Sequence, residues 1–313
     1  MAAESACDIE FPALYPDTQL TAHIFTIDVE DWFHISDLEN TPLVGTWHEY
    51  ESRIERNMHG LLDLLDTREV KATCFFLGWI GEKFPALVRE TAARGHEVAS
   101  HGYAHELVYE IAPDTFRADI RRSKSVLEDC FGGQVWGYRA PGFSITAETP
   151  WAWDILAEEG FRYDSSVFAA RRGFGGDPDA YPEPHVRQSG VAGVVAMPLR
   201  PARAFGRSLI FSGGGYLRLL PSAVITFLAD RLARADAPII YYIHPREIDT
   251  EQPRLPMPLV RQFKSYINLA TTRSKLERLF DRYEFERMID WVEAHETLLP
   301  QLPRLAELMR APS

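Results

Sequence analysis

The sequence predicts an α/β chain, with parallel strands joined by crossover helices into a barrel or a large doubly wound sheet. Short apolar runs alternate strictly with amphipathic helical stretches. Five such units fit before residue 165. The 313 residues are enough to bury a sizeable core without disulfide or metal staples. In either arrangement the chemistry is expected at the carboxyl ends of the strands.

The elements follow in order. Residues 22–28 read as a strand that ends in acids. Residues 50–66 read as a helix with Ile54, Met58, Leu61, Leu62 and Leu65 on one face. A strand over 70–77 precedes a helix from about 82 to 94, which Gly95 stops. A short strand spans 97–100, and a helix spans 114–131, ended by Gly132 and Gly133. A strand over 135–138, a helix over 148–159 ended by Gly160, and a strand over 161–164 complete the regular part. The rhythm breaks after Val167. Residues 169–190, rich in Arg, Gly and Pro, predict a long surface loop. Residues 194–199 predict a strand, 211–216 a flexible turn, 222–235 a helix and 238–243 a strongly apolar last strand. Residues 254–258 are proline-rich punctuation, and 272–282 and 286–295 read as helices. The chain shows no internal repeat. It is expected to be a single catalytic domain over 1–313, with a core at about 20–250 and a C-terminal helical extension at about 251–313.

Composition is ordinary for a globular protein, at 46% hydrophobic and 25% charged, which excludes collagen, coiled coil and wholesale disorder. The net charge of −12 gives no global attraction for nucleic acid or anionic lipid. Cys7, Cys74 and Cys130 form no CxxC pair, and their odd number points to a reducing compartment. Cys74, inside an apolar run, reads as a buried inert thiol. Residues 1–16 carry Glu4, Asp8 and Glu10 and no basic stretch before an apolar one, so they do not read as a signal peptide. No window holds 18 uninterrupted apolar residues. The expectation is a cytoplasmic chain with no membrane insertion and no nucleic-acid partner.

Four strand ends carry titratable groups. Asp28, Glu30 and Asp31 put three acids in four positions, which repel unless a cation or basic group joins them. A solvated acidic loop is the plainer alternative. His101 and His105, at i and i+4, would share one face of a helical turn and reach one metal. Such a pair can also be incidental. Two histidines and a carboxylate form a catalytic zinc set with one position open for water. His96 reads as structural. Arg139, followed by Ala140, Pro141, Gly142 and Phe143, sets a fixed cation beside exposed backbone N–H groups, or simply marks a turn. His244, locked by Pro245, is a candidate acid or base, with a core histidine as the alternative.

In sequence order, these pieces resemble the NodB-type polysaccharide deacetylases of carbohydrate esterase family 4. Asp28-Val29-Glu30-Asp31 stands at the acidic first motif, and Ser100-His101 with His105 at the histidine motif. Arg139-Ala140-Pro141 matches the arginine motif, Tyr163-Asp164-Ser165-Ser166 the fourth, and Ile243-His244 the last. Residues 211–221, Asp28 to Phe33, His244-Pro245 and Tyr266-Ile267-Asn268-Leu269 look like the subfamily associated with exosortase and exopolysaccharide loci.

The resemblance implies a distorted (β/α) barrel with about seven parallel strands. It also implies metal-assisted removal of N-acetyl groups from the amino sugars of a polysaccharide or oligosaccharide. Glu30, His101 and His105 would hold one divalent ion, zinc by expectation. The first motif usually has adjacent aspartates, whereas here Val29 follows Asp28. The base is therefore carried to Asp28 and the ligand to Glu30, with Asp31 as its rival. Arg139 would hold Asp28 ionised, and the Gly142 N–H would face the oxyanion. His244 would protonate the leaving amine, with a carboxylate such as Asp164 as its partner. Tyr103, Trp32, Phe33, Phe143 and Tyr216 flank the motifs, as saccharide contacts or as core. Gly213-Gly214-Gly215 is not a phosphate loop; it reads as a mobile substrate loop or a turn. The alternatives are a barrel amidohydrolase acting on a small cyclic amide or ureide, and a non-catalytic saccharide-binding homologue. Intact His101 and His105 argue against the first, and Asp28, Arg139 and His244 together argue against the second.

Overall fold

The computed structural model describes residues 22–36, 41–170, 175–188, 192–204, 207–233 and 237–302. The readings made for Cys7 and residues 1–16 lie outside these residues, as do 171–174 and 189–190 of the expected loop and 234–235 at the end of the expected helix.

The first half alternates as expected: β1 (His23–Val29), α1 (Ile54–Thr67), β2 (Thr73–Phe76), α2 (Gly78–Lys83), α3 (Pro85–Ala93), β3 (Glu97–Ser100), α4 (Pro113–Phe131), β4 (Gly137–Tyr138), α5 (Trp151–Glu158) and β5 (Tyr163–Asp164). The second half adds β6 (His185–Gln188), β7 (Gly193–Ala196), β8 (Ala202–Ala204), β9 (Arg207–Leu209), α6 (Gly214–Leu219), α7 (Ser222–Leu232) and β10 (Ile239–Ile243). Past residue 250 come α8 (Leu259–Tyr266), α9 (Leu269–Phe280), β11 (Phe285–Glu286), α10 (Met288–His295) and β12 (Gln301–Leu302).

The sheet order is β10-β1-β2-β3-β4-β5-β7-β6-β12, with β11 also on β1. The seven strands from β10 to β7 run parallel, and β6 returns antiparallel to β7. This is the expected distorted barrel, open as a half-barrel, with C-terminal helices.

Both faces of β1 are covered, so all seven of its residues are buried, as in a central parallel strand. Phe25, Ile27 and Val29 pack outward on Met58, Leu61 and Leu65 of α1. Ile24 points the other way, into an inner cluster with Phe75, Tyr163, Ile240 and Met288. By the same alternation, Asp28 points inward at the carboxyl end. The opposite end of the half-barrel is closed by α10. The Met288 N–H donates to Thr73 Oγ1 at 2.8 Å and the Ile289 N–H to Glu97 Oε2 at 3.1 Å.

Several elements differ from expectation for identifiable reasons. The helix expected over 82–94 is two helices, because Pro85 opens α3 and pushes Phe84 out of helical geometry. The 169–190 segment is not all loop: β6 forms there, with His185 and Val186 buried against β7. Residues 211–216 are not a mobile turn. Gly213 bridges to Tyr242, and α6 starts at Gly214. A Cβ at Gly213 would strike the Tyr242 ring, and one at Gly214 the Glu247 carboxylate, so these glycines serve close packing. The segment after the prolines holds α8, which has no counterpart among the expected helices. Among the described residues no helix is long and apolar enough to cross a membrane. Cys74 is buried and free, and burial pushes its thiol pKa well up.

Candidate active site

Parallel strands bring their carboxyl ends to one rim of the half-barrel, and four of these ends supply the site. Asp28 and Glu30 sit at the end of β1, His101 just after β3, Arg139 just after β4 and His244 just after β10.

One carboxylate oxygen organises the centre. Glu30 Oε1 lies 2.8 Å from His101 Nε2, 2.9 Å from His105 Nε2 and 3.9 Å from His244 Nε2. The ligand atoms of Glu30, His101 and His105 all lie within 4.8 Å of one another, and the same holds for Asp28, Glu30 and His244.

The chemistry of these atoms tests whether a cation fits. His101 Nδ1 donates to the Arg139 carbonyl oxygen at 2.7 Å. A carbonyl oxygen only accepts, so Nδ1 carries a hydrogen, and a neutral His101 turns a bare Nε2 lone pair toward Glu30. Two acceptors that close, in a buried place, need a proton or a metal ion between them. An imidazole fixed by its second nitrogen is also the usual support for a metal ligand. His105 Nδ1 pairs with Ser36 Oγ at 3.1 Å. The residues fit a divalent cation. Burial pushes the Glu30 carboxyl up, but the charge of His105 and His244 holds it well below the usual range.

The two histidines do not meet on a helical face. Residues 101–105 form an irregular loop in which Gly102 and His105 have φ of +74° and +56°. Asp119 fixes that shape by accepting the N–H groups of Tyr103 at 2.8 Å and Ala104 at 3.0 Å. A left-handed histidine is backbone strain held in place by its surroundings.

Asp31 does not face the imidazoles. Its carboxylate accepts the N–H groups of Trp32 and Arg53 and the Ser52 hydroxyl, which fixes the chain ahead of α1. Geometry therefore favours Glu30 over Asp31 beside His101 and His105.

Asp28 Oδ1 accepts from Arg139 Nη1 at 2.6 Å. Arg139 is fully buried and has few other ways to turn. Its Nη1 also donates to Thr26 Oγ1, its Nη2 to Ser165 Oγ and its Nε to the Ser165 carbonyl, while Phe75 lies 4.2 Å under the guanidinium. Such a pair is rigid because all three guanidinium nitrogens donate to fixed acceptors.

The carboxylate partner of His244 is Glu247, not Asp164. Pro245 opens a single 3-10 turn over Pro245–Ile248, which folds Glu247 back so that Oε1 lies 2.7 Å from His244 Nδ1. The other Glu247 oxygen accepts from Arg218 Nε at 2.8 Å. Burial opposes ionisation of Glu247, but Arg218 and His244 outweigh it and bring its pKa to about 2. Burial likewise pulls His244 down, yet the charges of Glu30 and Glu247 leave its pKa raised. Asp164 is buried at the end of β5, where burial pushes its pKa up to about 7. It accepts both the N–H and the hydroxyl of Ser166, and Ser166 Oγ in turn accepts the Ala140 N–H at 2.7 Å. Its work is to shape the turn after Arg139.

Gly142 lies in that turn, half-buried and left-handed at φ +62°. Tyr103 makes its side-chain contacts outside the Glu30, His101 and His105 group. Its hydroxyl donates to Glu82 at 2.6 Å, and Arg122 sits 3.6 Å over its ring. It lines a cavity of about 470 Å³ with Trp79, Ala104, Glu106, Asp119 and Arg122. Trp32, Phe33 and Phe143 are buried, whereas Tyr216 is exposed on α6. Sequence reasoning missed Ser36, Arg218 and Glu247. Only Glu247 left a trace, the spacing His-Pro-x-Glu at a strand end.

The half-barrel thus carries a Glu-His-His cluster, an Asp–Arg pair and a His–Glu pair at its strand ends. In comparison with known proteins, residues 46–163 match the family model Polysaccharide deacetylase, and residues 165–293 match the model Domain of unknown function (DUF3473). His101, His105 and Arg139 lie in the first match, Arg218, His244 and Glu247 in the second, and Asp28 and Glu30 ahead of both.

The chain is similar to a Mycobacterium smegmatis crystal structure assigned as a polysaccharide deacetylase. The two are 23% identical over 93% of this chain and 94% of that one, with a TM-score of 0.60. A structure from Pseudomonas aeruginosa PAO1 assigned likewise gives 18%, 88%, 91% and 0.56. These likenesses show the fold. Among curated proteins, a peptidoglycan-N-acetylglucosamine deacetylase of Bacillus cereus is 33% identical over 93 residues, which is 29% of this chain and 34% of that protein. A peptidoglycan deacetylase of Helicobacter pylori is 30% identical over 107 residues, or 34% and 36%. The match thus spans about a third of the length of these curated relatives.

Proposed function

We propose that the chain is a metal-dependent hydrolase that removes N-acetyl groups from amino sugars of a glycan. The observation that carries this reading is the single Glu30 oxygen facing two imidazole nitrogens, with the Asp28–Arg139 and His244–Glu247 pairs on either side. Glu30, His101 and His105 would hold the cation, and two imidazoles with one carboxylate suit zinc. When bound, the ion supplies Lewis acidity to the acyl carbonyl and to the attacking water.

The remaining chemistry belongs to the side chains. Asp28 takes the proton as water oxygen bonds to the acyl carbon. Arg139 keeps that carboxylate aimed and spends no motion on doing so. The Gly142 N–H is the proposed donor to the developing oxyanion. As the C–N bond breaks, His244 gives its proton to the amine nitrogen, so acetate and a free amino sugar leave. Glu247 orients His244 through Nδ1, freeing Nε2 to face the site. Tyr103, with Trp79 beside it, is the proposed wall for a neighbouring sugar ring.

Amino sugars are the substrate class supported by the names of the curated relatives. The exopolysaccharide reading rests on the resemblance of residues 211–221 and 266–269. The test is acetate release from N-acetylglucosamine oligomers by protein loaded with zinc and characterised by elemental analysis. Metal-dependent acetate release is the expected result. A fully loaded protein that releases none would overturn the reading.

A further inference from the structure

The apolar side of α8 faces outward. Leu259 is 82% exposed, Val260 68% and Phe263 58%. Positions i, i+1 and i+4 lie on one side of a helix, so these three make a patch rather than scattered surface residues. Ser265 and Tyr266 are the residues α8 buries. The chain approaches the helix through Pro253, Pro256 and Pro258, which stiffen its placement.

Charge says what this patch can meet. Residues 252–276 contain Arg254, Arg261, Lys264, Arg273 and Lys275 and no aspartate or glutamate, in a chain whose net charge is −12. Arg254 and Lys264 are exposed, whereas Arg273 pairs with Glu277 and Lys275 donates to the carbonyls of Leu217, Arg218 and Leu220. An apolar helix face with Arg254 and Lys264 exposed close by in the chain and no acid between residues 252 and 276 is the chemistry of a helix lying in a lipid interface. A second copy of the chain fits less well. Three side chains on a helix of two turns fall far short of the roughly 800 Å² per partner that a stable dimer buries.

We propose that α8 docks the protein on an anionic lipid surface. Leu259, Val260 and Phe263 enter the boundary between headgroups and acyl chains, and Lys264 and Arg254 meet headgroup phosphates. The helix also reaches the site at two points. Arg261 donates to the Ser36 carbonyl, and Ser36 Oγ pairs with His105. Arg218 donates to the carbonyls of Lys264, Ser265 and Ile267 while holding Glu247. Docking through α8 therefore sets the candidate active site at the membrane surface. The overall negative charge makes the inference sharp, because an acidic chain without a local basic face would avoid anionic vesicles.

The experiment is flotation of the full chain with vesicles of phosphatidylcholine alone or mixed with phosphatidylglycerol. The expected result is binding to the mixed vesicles and much less to phosphatidylcholine. Leu259→Ser/Phe263→Ser should lower the partition at least about tenfold, with unchanged melting temperature and unchanged acetate release from soluble oligomers. Val260→Ser alone should lower it less, and serves if the double variant misfolds. Lys264→Glu should weaken binding to mixed vesicles and leave phosphatidylcholine binding as it was. No wild-type flotation, equal flotation on both vesicle types, or flotation unaffected by the serine variants each overturns the proposal. So does a wild-type dimer in light scattering that the double variant loses, which would make the occupant a second copy.

Discussion

Glu30 and Asp31 are neighbours of the same charge with opposite duties. Glu30 stands against two imidazoles, while Asp31 ties Ser52 and Arg53 ahead of α1. Glu30→Gln is therefore expected to lose the metal and the activity. Asp31→Asn should keep the metal and cost about 1–3 kcal/mol of stability through its lost charged hydrogen bonds. Elemental analysis with thermal melts separates the two. Asp28→Asn should retain metal and lower turnover by about 10²–10⁴-fold, the usual loss on removing a general base; near-normal turnover would leave Asp28 a structural role. Glu247 acts through His244. Its charge raises the His244 pKa, and the proposed acid works only while protonated, so activity should fall as pH rises through that value. Glu247→Gln should lower the His244 pKa and move the alkaline limb of the rate profile to lower pH. A limb that stays in place would detach Glu247 from the acid. Asp28, His101, Arg139 and His244 were legible because each is a titratable residue at the end of an apolar run. Glu247 and Ser36 were not, because a 3-10 turn and a loop bring them in, and neither leaves a hydrophobic period.

At the scale of elements, legibility followed burial. β1 is apolar and buried throughout, and its limits came within a residue of those expected. The pair β6 and β7 was half-hidden, because β6 carries His185 and Arg187 and looks polar in sequence. The glycines at 213 and 214 misled for a different reason. Glycine signals either mobility or close approach, and only the three-dimensional neighbours tell which. The structure gives the second answer, with α6 seated on Tyr242 and Glu247. Gly214→Ala should therefore act at a distance on the chemistry. Its new methyl group displaces the Glu247 carboxylate, costs about 1–3 kcal/mol as an overpacked site, and disturbs the His244 limb of the rate profile. Calorimetry and a pH series check both effects. If the variant is as stable and as pH-dependent as wild type, α6 is looser than its packing indicates.

For the whole molecule, the parallel order of seven strands could be read from the strict alternation of strand and helix. The opening of the barrel could not. The strand order ends at β10 and β12 without closing, and a two-residue strand such as β12 carries too little pattern to signal its pairing. The closed end carries a prediction of its own. Glu97 is buried under α10 and accepts from Thr73, Tyr163 and Ile289, yet burial still pushes its pKa up to about 7. The folded chain then holds a proton that an unfolded glutamate, near 4.3, has released. Stability contributed by this group is present in acid and is lost as pH rises toward and through 7, by up to about 3 kcal/mol. Glu97→Gln should flatten that part of the stability profile, measured by denaturant unfolding at pH 6 and pH 8. A slope equal to that of wild type would assign the loss to other groups.

The pairing of β10 with β1 also constrains how the protein is made. The Thr26 hydroxyl bonds to the Tyr241 carbonyl across 215 residues of chain. On a ribosome, β1 emerges and pairs with β2 on one side while its other edge waits for a partner not yet synthesised. That edge belongs to an apolar strand and is open to any other nascent chain. Translation halted before β10 would leave a chain that has His101 and His105 and no His244. Such a product would be prone to aggregate and would lack the proposed acid, so under the proposed function competence arrives late and at once, when the tenth strand slots into the gap.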